Sequence, residues 1–284
     1  MKKIKLILCI IFLFWLQQAF SQISPLVRKT VKPPIDKSKF YLFLLAGQSN
    51  MAGRGKVEPV DTLPNPKVLT LNSSGEWEVA KDPIHFDRSY AGVGPGLTFG
   101  KLMAEADTST YVGLIPCAVG GSSINSWLPA LDTAKTGKNY KVAISRTITA
   151  TKSGTLKGII WHQGETDCTE KGVVNYQKKL IDVVNGLRSD LKNPRLTFIA
   201  GELPTFQTQK PDKEKKLQFN PYVAPINAVL QNLKSILRDF NYVLATNTDH
   251  IGDYLHFNAA SARLMGERYA SLMLIAIKQQ RVNK

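Results

Sequence analysis

Short, uninterrupted apolar runs recur along the chain and are typical of strands buried on both faces. The first covers residues 40–46 and ends at Gly47. The others cover residues 111–115, 156–161, 196–200 and 242–245. We predict that these five runs are strands of one sheet, because each is too short for a typical buried helix.

The segments between the runs have apolar residues at helical spacing. In residues 173–191 one apolar stripe consists of Val174, Leu180, Ile181, Val184 and Leu187. Further helices are predicted over residues 97–106, 141–151, 226–240 and 259–278, the last with Asn258 as its N-cap. Alternation of strands and helices predicts an α/β fold, with a five-stranded parallel sheet and helices on both faces.

One segment departs from this alternation. Residues 68–71 and 77–79 are mainly apolar and flank the turn-forming residues 72–76, which predicts a small β-hairpin inserted in the first crossover. We find neither an internal repeat nor a linker that would divide the chain after residue 40. The sequence therefore predicts one domain over residues 40–284.

The N-terminal residues have the pattern of a secretory signal peptide. Three lysines lie within residues 1–5, an apolar run covers residues 6–16, and small residues occupy positions 19 and 21. The run is shorter than the roughly 20 apolar residues of a transmembrane helix. We predict a signal peptide over residues 1–21, a polar tether over 22–39, and an exported protein, periplasmic or extracellular, with no stable membrane span after cleavage.

The composition is that of a globular protein and excludes a collagen-like or wholly disordered chain. Lys and Arg number 37 against 22 Asp and Glu, a formal net charge of +15. The lysines are scattered, which favours a solvated basic surface over a nucleic-acid site. After signal cleavage only Cys117 and Cys168 remain of the three cysteines. We expect two buried thiols rather than a disulfide.

The polar residues follow the ends of the predicted strands. In open parallel sheets, ligands bind outside the carboxyl ends of the strands. Residues 47–53 follow the first strand, residues 117–123 the second and residues 162–167 the third, and residues 249–256 follow the fifth. These segments contain serines, glycines, an amide, carboxylates and three of the four histidines. The pattern predicts a site at this edge of the sheet.

A serine, a histidine and an acid in these segments fit nucleophilic acyl transfer. Ser49 lies in a tight turn at the end of a buried strand, and Asp253 and His256 are three residues apart before the last helix. His250, beside Asp249, is an alternative base. A turn serine and an incidental histidine are the corresponding structural interpretations of these residues.

Other residues fit the stabilisation of an oxyanion. Gly120 and Gly121 allow a backbone N–H to approach a substrate closely, because no Cβ intervenes. Gln163 offers a side-chain amide at the end of a buried strand, where burial is costly unless the amide forms a hydrogen bond within the protein or to a substrate. His162 and Glu165 fit either a structural network or, for Glu165, orientation of the catalytic histidine. The sequence leaves these two roles open.

Metal and phosphate chemistry are less well supported. His-Glu-x-x-His, paired Cys-x-x-Cys and the phosphate-binding loop are absent, so catalytic zinc and nucleotide binding are weak interpretations. The sequence around Ser49 is also not the Gly-x-Ser-x-Gly of an α/β-hydrolase.

Taken together, the segments 47–51 (Gly-Gln-Ser-Asn-Met), 120–122 (Gly-Gly-Ser), 162–165 (His-Gln-Gly-Glu) and 253–256 (Asp-x-x-His) resemble those of SGNH-type carbohydrate esterases. The resemblance is to the family-6 acetylxylan esterases and the sialate O-acetylesterase domain, and covers residues 40–277. It implies a flavodoxin-like α/β/α sandwich, no metal or other cofactor, and release of acetate from an acetylated oligo- or polysaccharide.

The same resemblance implies a role for each site residue. Ser49 corresponds to the nucleophile, His256 to the base and Asp253 to its orienting acid, with Glu165 as a second candidate acid. The oxyanion donors correspond to the N–H groups of Ser49 and Gly120 or Gly121, and to the Gln163 amide.

Two other functions fit the same fold: a non-catalytic carbohydrate-binding relative, and a serine hydrolase of lipids or thioesters. The substrate depends on loops such as residues 56–95 and 207–222. Trp127 is either a platform for a sugar ring or, as we expect, a core residue. The sequence does not predict the oligomeric state.

Overall fold

The computed structural model describes residues 28–129 and 137–282. The predicted signal peptide lies outside these residues. The predicted tether lies partly within them: Thr30 forms a bridge with Glu78, and the Val31 N–H donates to the carbonyl of Trp77. Within the described ranges, no helix combines the length and the apolar character that crossing a membrane requires.

The centre of the fold is a seven-stranded mixed sheet. The strands of the described chain are β1 Phe40–Gly47, β2 Val68–Leu71, β3 Trp77–Val79, β4 Tyr111–Pro116, β5 Thr155–His162, β6 Thr197–Gly201, β7 Gln209–Pro211, β8 Leu217–Phe219 and β9 Phe240–Val243. Their order in the sheet is β3-β2-β4-β1-β5-β6-β9, and neighbouring strands are parallel, except that β3 is antiparallel to β2. A separate hairpin, β7–β8, lies outside this sheet.

The prediction of a five-stranded parallel sheet was wrong in strand number and in pure parallelism. The predicted hairpin is present as β2 and β3, but it extends the sheet, because β2 pairs in parallel with β4. The register places Val68 opposite Val112. Pairing of β2 satisfies the backbone groups along one side of β4, which would otherwise form an exposed edge. It also buries the side chains of Val68, Leu69 and Leu71.

Helices cover both faces of the sheet and give the α/β/α arrangement. Leu44 of β1 lies in the core that contains Ala143 and Leu180, whereas Leu45 lies in the core that contains Phe99 and Met265. This alternation follows from the period of two in a strand. The helices are α1 Ser49–Ala52, α2 Pro59–Thr62, α3 Pro95–Ala106, α4 Lys138–Thr151, α5 Glu170–Val173, α6 Tyr176–Asp190, α7 Val223–Ile236 and α8 Ala259–Val282.

Two predicted helices have different bounds in the structure. The helix expected over residues 173–191 is α6, which begins only at Tyr176 because Asn175 has a positive φ of 64° that separates it from the short helix α5. The helix expected over residues 226–240 ends at Ile236, and Phe240 begins β9. The N-cap of α8 is confirmed: Asn258 Oδ1 accepts the N–H of Ser261 at 2.8 Å.

The burial that we expect for Trp127, Cys117 and Cys168 is confirmed. Trp127 is fully buried, packs edge-on against Trp161 at 5.1 Å between ring centroids, and is therefore a core residue. Cys117 and Cys168 are separate buried thiols. Burial raises the pKa of each thiol to about 12, so both are protonated at neutral pH.

Candidate active site

The turn after β1 positions Ser49 at the sheet edge. Ser49 is the first residue of the short helix α1, directly after Gly47 and Gln48. Gly47 has a φ of 129°, and a Cβ at this position would lie 2.0 Å from the carbonyl oxygen of His162. Only glycine fits this approach of β1 to β5, which is secured by the Gln48 N–H donating to the same carbonyl at 2.8 Å.

Ser49, His256 and Asp253 form a hydrogen-bonded chain. Ser49 Oγ lies 3.0 Å from His256 Nε2, and His256 Nδ1 lies 2.6 Å from Asp253 Oδ2. These are the contacts that allow an imidazole to take the proton of a hydroxyl while a carboxylate stabilises the resulting imidazolium. The structure thus brings together Ser49 and His256, which are 207 positions apart in the chain.

The loop that carries the histidine also keeps Asp253 ionised. Partial burial would raise the pKa of Asp253, but hydrogen bonds to the carboxylate outweigh it and lower the pKa below its ordinary value. These bonds come from the His256 backbone and ring and from the Leu255 backbone, with both backbone N–H groups at 2.9 Å from Oδ1. The acid is therefore charged at neutral pH and fixes the orientation of the ring.

A second carboxyl group, Glu165, reaches the histidine only through Asn50. Asn50 Nδ2 donates to Glu165 Oε1 at 2.8 Å and to the carbonyl of Leu255 at 3.0 Å. Asn50 Oδ1 accepts the N–H of Phe257 at 2.9 Å. The backbone on both sides of His256 is thus bonded to one amide, and the ring of His256 is bonded to Asp253 rather than to Glu165.

Burial gives Glu165 and its neighbour His162 unusual pKa values. It raises the pKa of Glu165 to about 7 and lowers that of His162 to about 3. His162 is therefore neutral, with Nδ1 at 3.1 Å from the hydroxyl of Tyr269 and Nε2 at 3.9 Å from Glu165 Oε1. This favours the structural network over direct orientation of His256 as the role of the pair.

The N–H groups of Ser49 and Gly121 have no hydrogen-bond partner within the described part of the chain. Both residues line the pocket, and Gly121 adopts a positive φ of 74°. Gly120 differs, because its N–H already donates to Asp87 Oδ2 at 2.8 Å. Ser49 and Gly121 are therefore the pair of N–H groups that is available to an oxyanion.

Gln163 is placed differently from the expectation. Its side chain is fully buried, and Nε2 donates to Asp167 Oδ2 at 2.6 Å and to the carbonyl of Ser122 at 3.2 Å. Its Oε1 accepts the hydroxyl hydrogen of Tyr176 at 2.9 Å. Since both amide hydrogens are engaged inside the protein, this structure offers no free Gln163 donor to the pocket. The amide instead fixes the loop that carries Ser122.

Two supporting contacts were missed in the sequence. Asn50 follows Ser49 directly, and that adjacency was the available signal for it. Asp87 binds the Gly120 N–H and forms a buried ion pair of 2.7 Å with Arg54. Asp87 lies in a loop between β3 and α3, where the sequence carries no signal that it contacts Gly120.

His250, the alternative base, is part of the loop structure. Its Nδ1 accepts the N–H groups of Gly252 at 2.9 Å and Tyr254 at 3.2 Å. Its ring packs beside that of Tyr254, with 4.2 Å between centroids. His250 therefore shapes the segment that presents Asp253 and does not contact Ser49.

The site opens into a pocket of about 610 Å³. Its walls come from the loops that follow β1, β3, β4, β5 and β9 and from the segment 207–223, which contains the hairpin β7–β8. Among the described residues, no group of three or more His, Cys, Asp and Glu side chains is arranged to hold a metal ion. The hydroxyl of Ser49, the imidazole of His256, the carboxylate of Asp253 and the backbone of Gly121 thus line one cavity.

Residues 39–275 match the family model described as carbohydrate esterase, sialic acid-specific acetylesterase. The chain belongs to this family. It is 33% identical over 191 residues to the probable carbohydrate esterase At4g34215 of Arabidopsis thaliana, covering 60% of this chain and 70% of that protein.

Several solved structures share the fold of this family member. The crystal structure of the Arabidopsis thaliana protein AT4G34215 matches with a TM-score of 0.70 and 27% identity, over 82% of this chain and 97% of that chain. NanS matches with a TM-score of 0.66 and 18% identity, over 88% and 99% of the two chains. The carbohydrate acetylesterase XAC1771 of Xanthomonas citri matches at 0.59 and 20%, over 82% and 55%.

Proposed function

We propose that this protein is a serine esterase that removes O-acetyl groups from carbohydrate, in the manner of an acetylxylan esterase. The observation that carries the proposal is the chain of contacts from Ser49 Oγ through His256 to Asp253, at 3.0 and 2.6 Å, on the wall of the pocket. Membership in a carbohydrate esterase family supports the substrate class.

The geometry supports a two-step reaction. His256 Nε2 takes the hydroxyl proton as Ser49 Oγ bonds to the acetyl carbon, and the carbonyl electrons move onto an oxyanion. The N–H groups of Ser49 and Gly121 stabilise that oxyanion. When the bond to the sugar oxygen breaks, His256 returns the proton to it. Water, deprotonated by His256, then releases acetate and restores the Ser49 hydroxyl.

A specific observation favours a second candidate, a sialate O-acetylesterase. Arg88 and Lys210 line the pocket and have no acidic partner in the described ranges, whereas Arg54 is paired with Asp87. Two unpaired cations beside the site would favour an acetylated sugar that carries a carboxylate. A lipid or thioester substrate has no comparable observation in its favour, and an intact Ser49–His256–Asp253 chain opposes a purely binding role.

The test is acetate release by the purified protein from acetylated xylan, O-acetyl sialic acid and longer acyl esters. The proposal predicts release from an acetylated sugar and its near-complete loss in Ser49→Ala. Preference for the sialic acid over xylan would replace the first candidate by the second. Turnover by Ser49→Ala at the rate of the unaltered protein would overturn the mechanism.

We further propose that the protein is exported, which rests on the N-terminal sequence pattern. Expression of the full chain with a C-terminal tag tests this: cleavage near residue 21 and recovery outside the cytoplasm are expected. Retention of the uncleaved chain in the cytoplasm would refute the proposal.

A further inference from the structure

A second cavity, of about 400 Å³, lies beside the catalytic pocket. Residues 86–91 form the wall between the two: Phe86, Ser89 and Ala91 line the second cavity, Tyr90 lines the catalytic pocket, and Arg88 lines both. The remaining walls come from Arg28 in the N-terminal segment, from the hairpin β2–β3 and from residues 83–85. The second cavity is thus adjacent to the site at which Ser49 acts.

Two residues of this cavity have buried polar atoms without a partner. His85 is 4% and Thr70 is 1% exposed, and neither His85 Nε2 nor Thr70 Oγ1 has a hydrogen-bond partner among the described residues. An unsatisfied buried polar atom is destabilising, because it has given up its hydrogen bonds to water without a replacement. A ligand with hydroxyl groups that reaches these atoms would remove that cost.

The charges around the cavity are partly compensated, and Arg88 is the cation of its wall that has no acidic partner in the described ranges. The guanidinium of Arg28 faces Glu78 and Asp82 and donates to the carbonyl of Pro83. Burial lowers the pKa of His85 to about 4, against the opposing influence of Asp87, so its imidazole is neutral at pH 7. A neutral imidazole nitrogen, a hydroxyl and a paired guanidinium suit the donors and acceptors of an uncharged polyol.

The cavity also has an aromatic wall. Phe86 is 49% exposed, and the guanidinium of Arg146 lies 4.9 Å from its ring centroid. An aromatic ring beside a few convergent polar groups is the usual composition of a small-molecule site. A pyranose ring presents both an apolar C–H face and hydroxyl groups, and matches both kinds of surface.

We propose that this cavity is a second sugar subsite, which holds a neutral sugar residue linked to the residue whose acetyl group lies at Ser49. The supporting arrangement is the wall shared by the two cavities, the unpartnered atoms of Thr70 and His85, and the exposed ring of Phe86. The proposal rests on the proposed function, because it assigns the linked residue to an esterase substrate. It makes the enzyme selective for oligosaccharides over single sugars.

Binding tests the subsite without requiring catalysis. Xylotetraose, cellotetraose and mannotetraose, all without acetyl groups, are titrated into the full protein and its variants by calorimetry. Thr70→Val removes Oγ1 with little change of shape, and Thr147→Val is a matched control: Thr147 Oγ1 is also buried without a partner in the described ranges, but lines neither cavity. Melting temperatures confirm that both variants fold.

We expect at least one tetrasaccharide to bind, with about 3- to 10-fold weaker binding to Thr70→Val, which is the loss of one hydrogen bond. Phe86→Ala weakens the same binding, and Thr147→Val leaves it unchanged. Absence of binding by all three sugars, or equal binding by Thr70→Val and Thr147→Val, would overturn the subsite.

Kinetics separate the two proposals. For acetylated xylotetraose, Thr70→Val should raise KM by a similar factor, while hydrolysis of p-nitrophenyl acetate and of an acetylated monosaccharide is unchanged. If the unaltered protein binds the sugars but releases no acetate from any ester, the esterase proposal fails and the cavity is a sugar site of a binding protein. If acetate is released and Thr70→Val affects all substrates equally, the subsite fails alone.

Discussion

Two carboxyl groups support the same histidine, Asp253 through the ring and Glu165 through Asn50 and the backbone, and they differ in exposure and in pKa. The side chain of Asp253 is 38% exposed, whereas that of Glu165 is 1% exposed. The pKa of Asp253 is lowered by hydrogen bonds to its carboxylate, and burial raises the pKa of Glu165 to about 7.

The difference shows that one acid supplies a charge to the site, whereas the other holds part of the backbone in place. A carboxylate that must stabilise an imidazolium has to remain ionised, so it is placed where solvent and backbone N–H groups support its charge. A carboxyl group that holds a backbone segment needs only an acceptor oxygen, which a buried and partly protonated acid also provides. Asp253 therefore acts on the ring of His256, and Glu165 acts on its backbone through Asn50.

The largest predicted effect on activity is that of replacing Asp253, the more exposed of the two acids. Asp253→Asn should lower kcat by about 10⁴-fold, as loss of the orienting carboxylate does in serine proteases. The reason is that an amide neither stabilises the imidazolium nor fixes the tautomer of His256. Hydrolysis of p-nitrophenyl acetate measures the effect. Asp249→Asn is the matched control, since this carboxylate of the same loop is 76% exposed and should leave kcat unchanged.

If Glu165 were the acid that orients His256, Asp253→Asn would retain most of the activity. In that case Glu165→Gln would show the larger loss, and the assignment of the two carboxyl groups would have to be exchanged.

The second-largest effect on activity is expected for Asn50, which links Glu165 to the backbone beside His256. Asn50→Ala removes the hydrogen bonds to Leu255 and Phe257, so the position of His256 should be less well fixed. The value of kcat should therefore fall by about 10- to 100-fold with little change in KM. Steady-state kinetics measure kcat and KM separately. The free energy of unfolding should also fall, by about 1–3 kcal/mol, because buried groups lose their partners.

Asn227 provides the control for a purely structural effect. Its amide binds the backbone N–H and carbonyl of Leu203, at 2.8 and 2.9 Å, away from His256. Asn227→Ala should lower stability but not kcat. Equal losses of kcat in Asn50→Ala and Asn227→Ala would show that Asn50 has no positioning role.

The smallest effect on activity is expected for the replacement of Glu165, the buried acid. Glu165→Gln retains an acceptor oxygen for Asn50 Nδ2, so kcat at neutral pH should fall by less than about 10-fold. Its effect on stability should depend on pH. Between pH 4.5, the ordinary pKa, and about 7, folded Glu165 keeps a proton that the unfolded chain loses.

The unaltered protein should therefore lose stability relative to Glu165→Gln as the pH rises through this window, and the loss should level off above it. Urea unfolding of both proteins at pH 4, 5.5, 7 and 8 measures the difference. A difference in unfolding free energy that is constant over this range would refute the raised pKa.

The sequence contained enough information to locate the site but not its supporting contacts. Apolar runs predict β1, β4 and β5 because each strand is buried on both faces, and the carboxyl ends of parallel strands lie at one edge. Ser49 and the Asp253–His256 pair could thus be assigned to one place. The bond from Asn50 to Glu165 joins residues 115 positions apart, and no local pattern encodes it.

The departures from prediction have similar causes. Gln163 was expected to face the pocket, but a side chain at the end of a strand takes whichever partners the neighbouring loops provide, here Asp167 and Tyr176. The hairpin β2–β3 was predicted as an insertion, and its pairing with β4 depends on a strand more than 30 residues away. Such non-local pairing is set by packing rather than by local propensity.

The proposed reaction requires Ser49 to be the nucleophile, and covalent labelling tests this role most directly. The protein is incubated with a serine-directed fluorophosphonate, and the modified peptide is identified by mass spectrometry. A single adduct on Ser49, formed much more slowly in Asp253→Asn and absent in Ser49→Ala, is the predicted result. An adduct on another residue, or full labelling of Ser49→Ala, would contradict it.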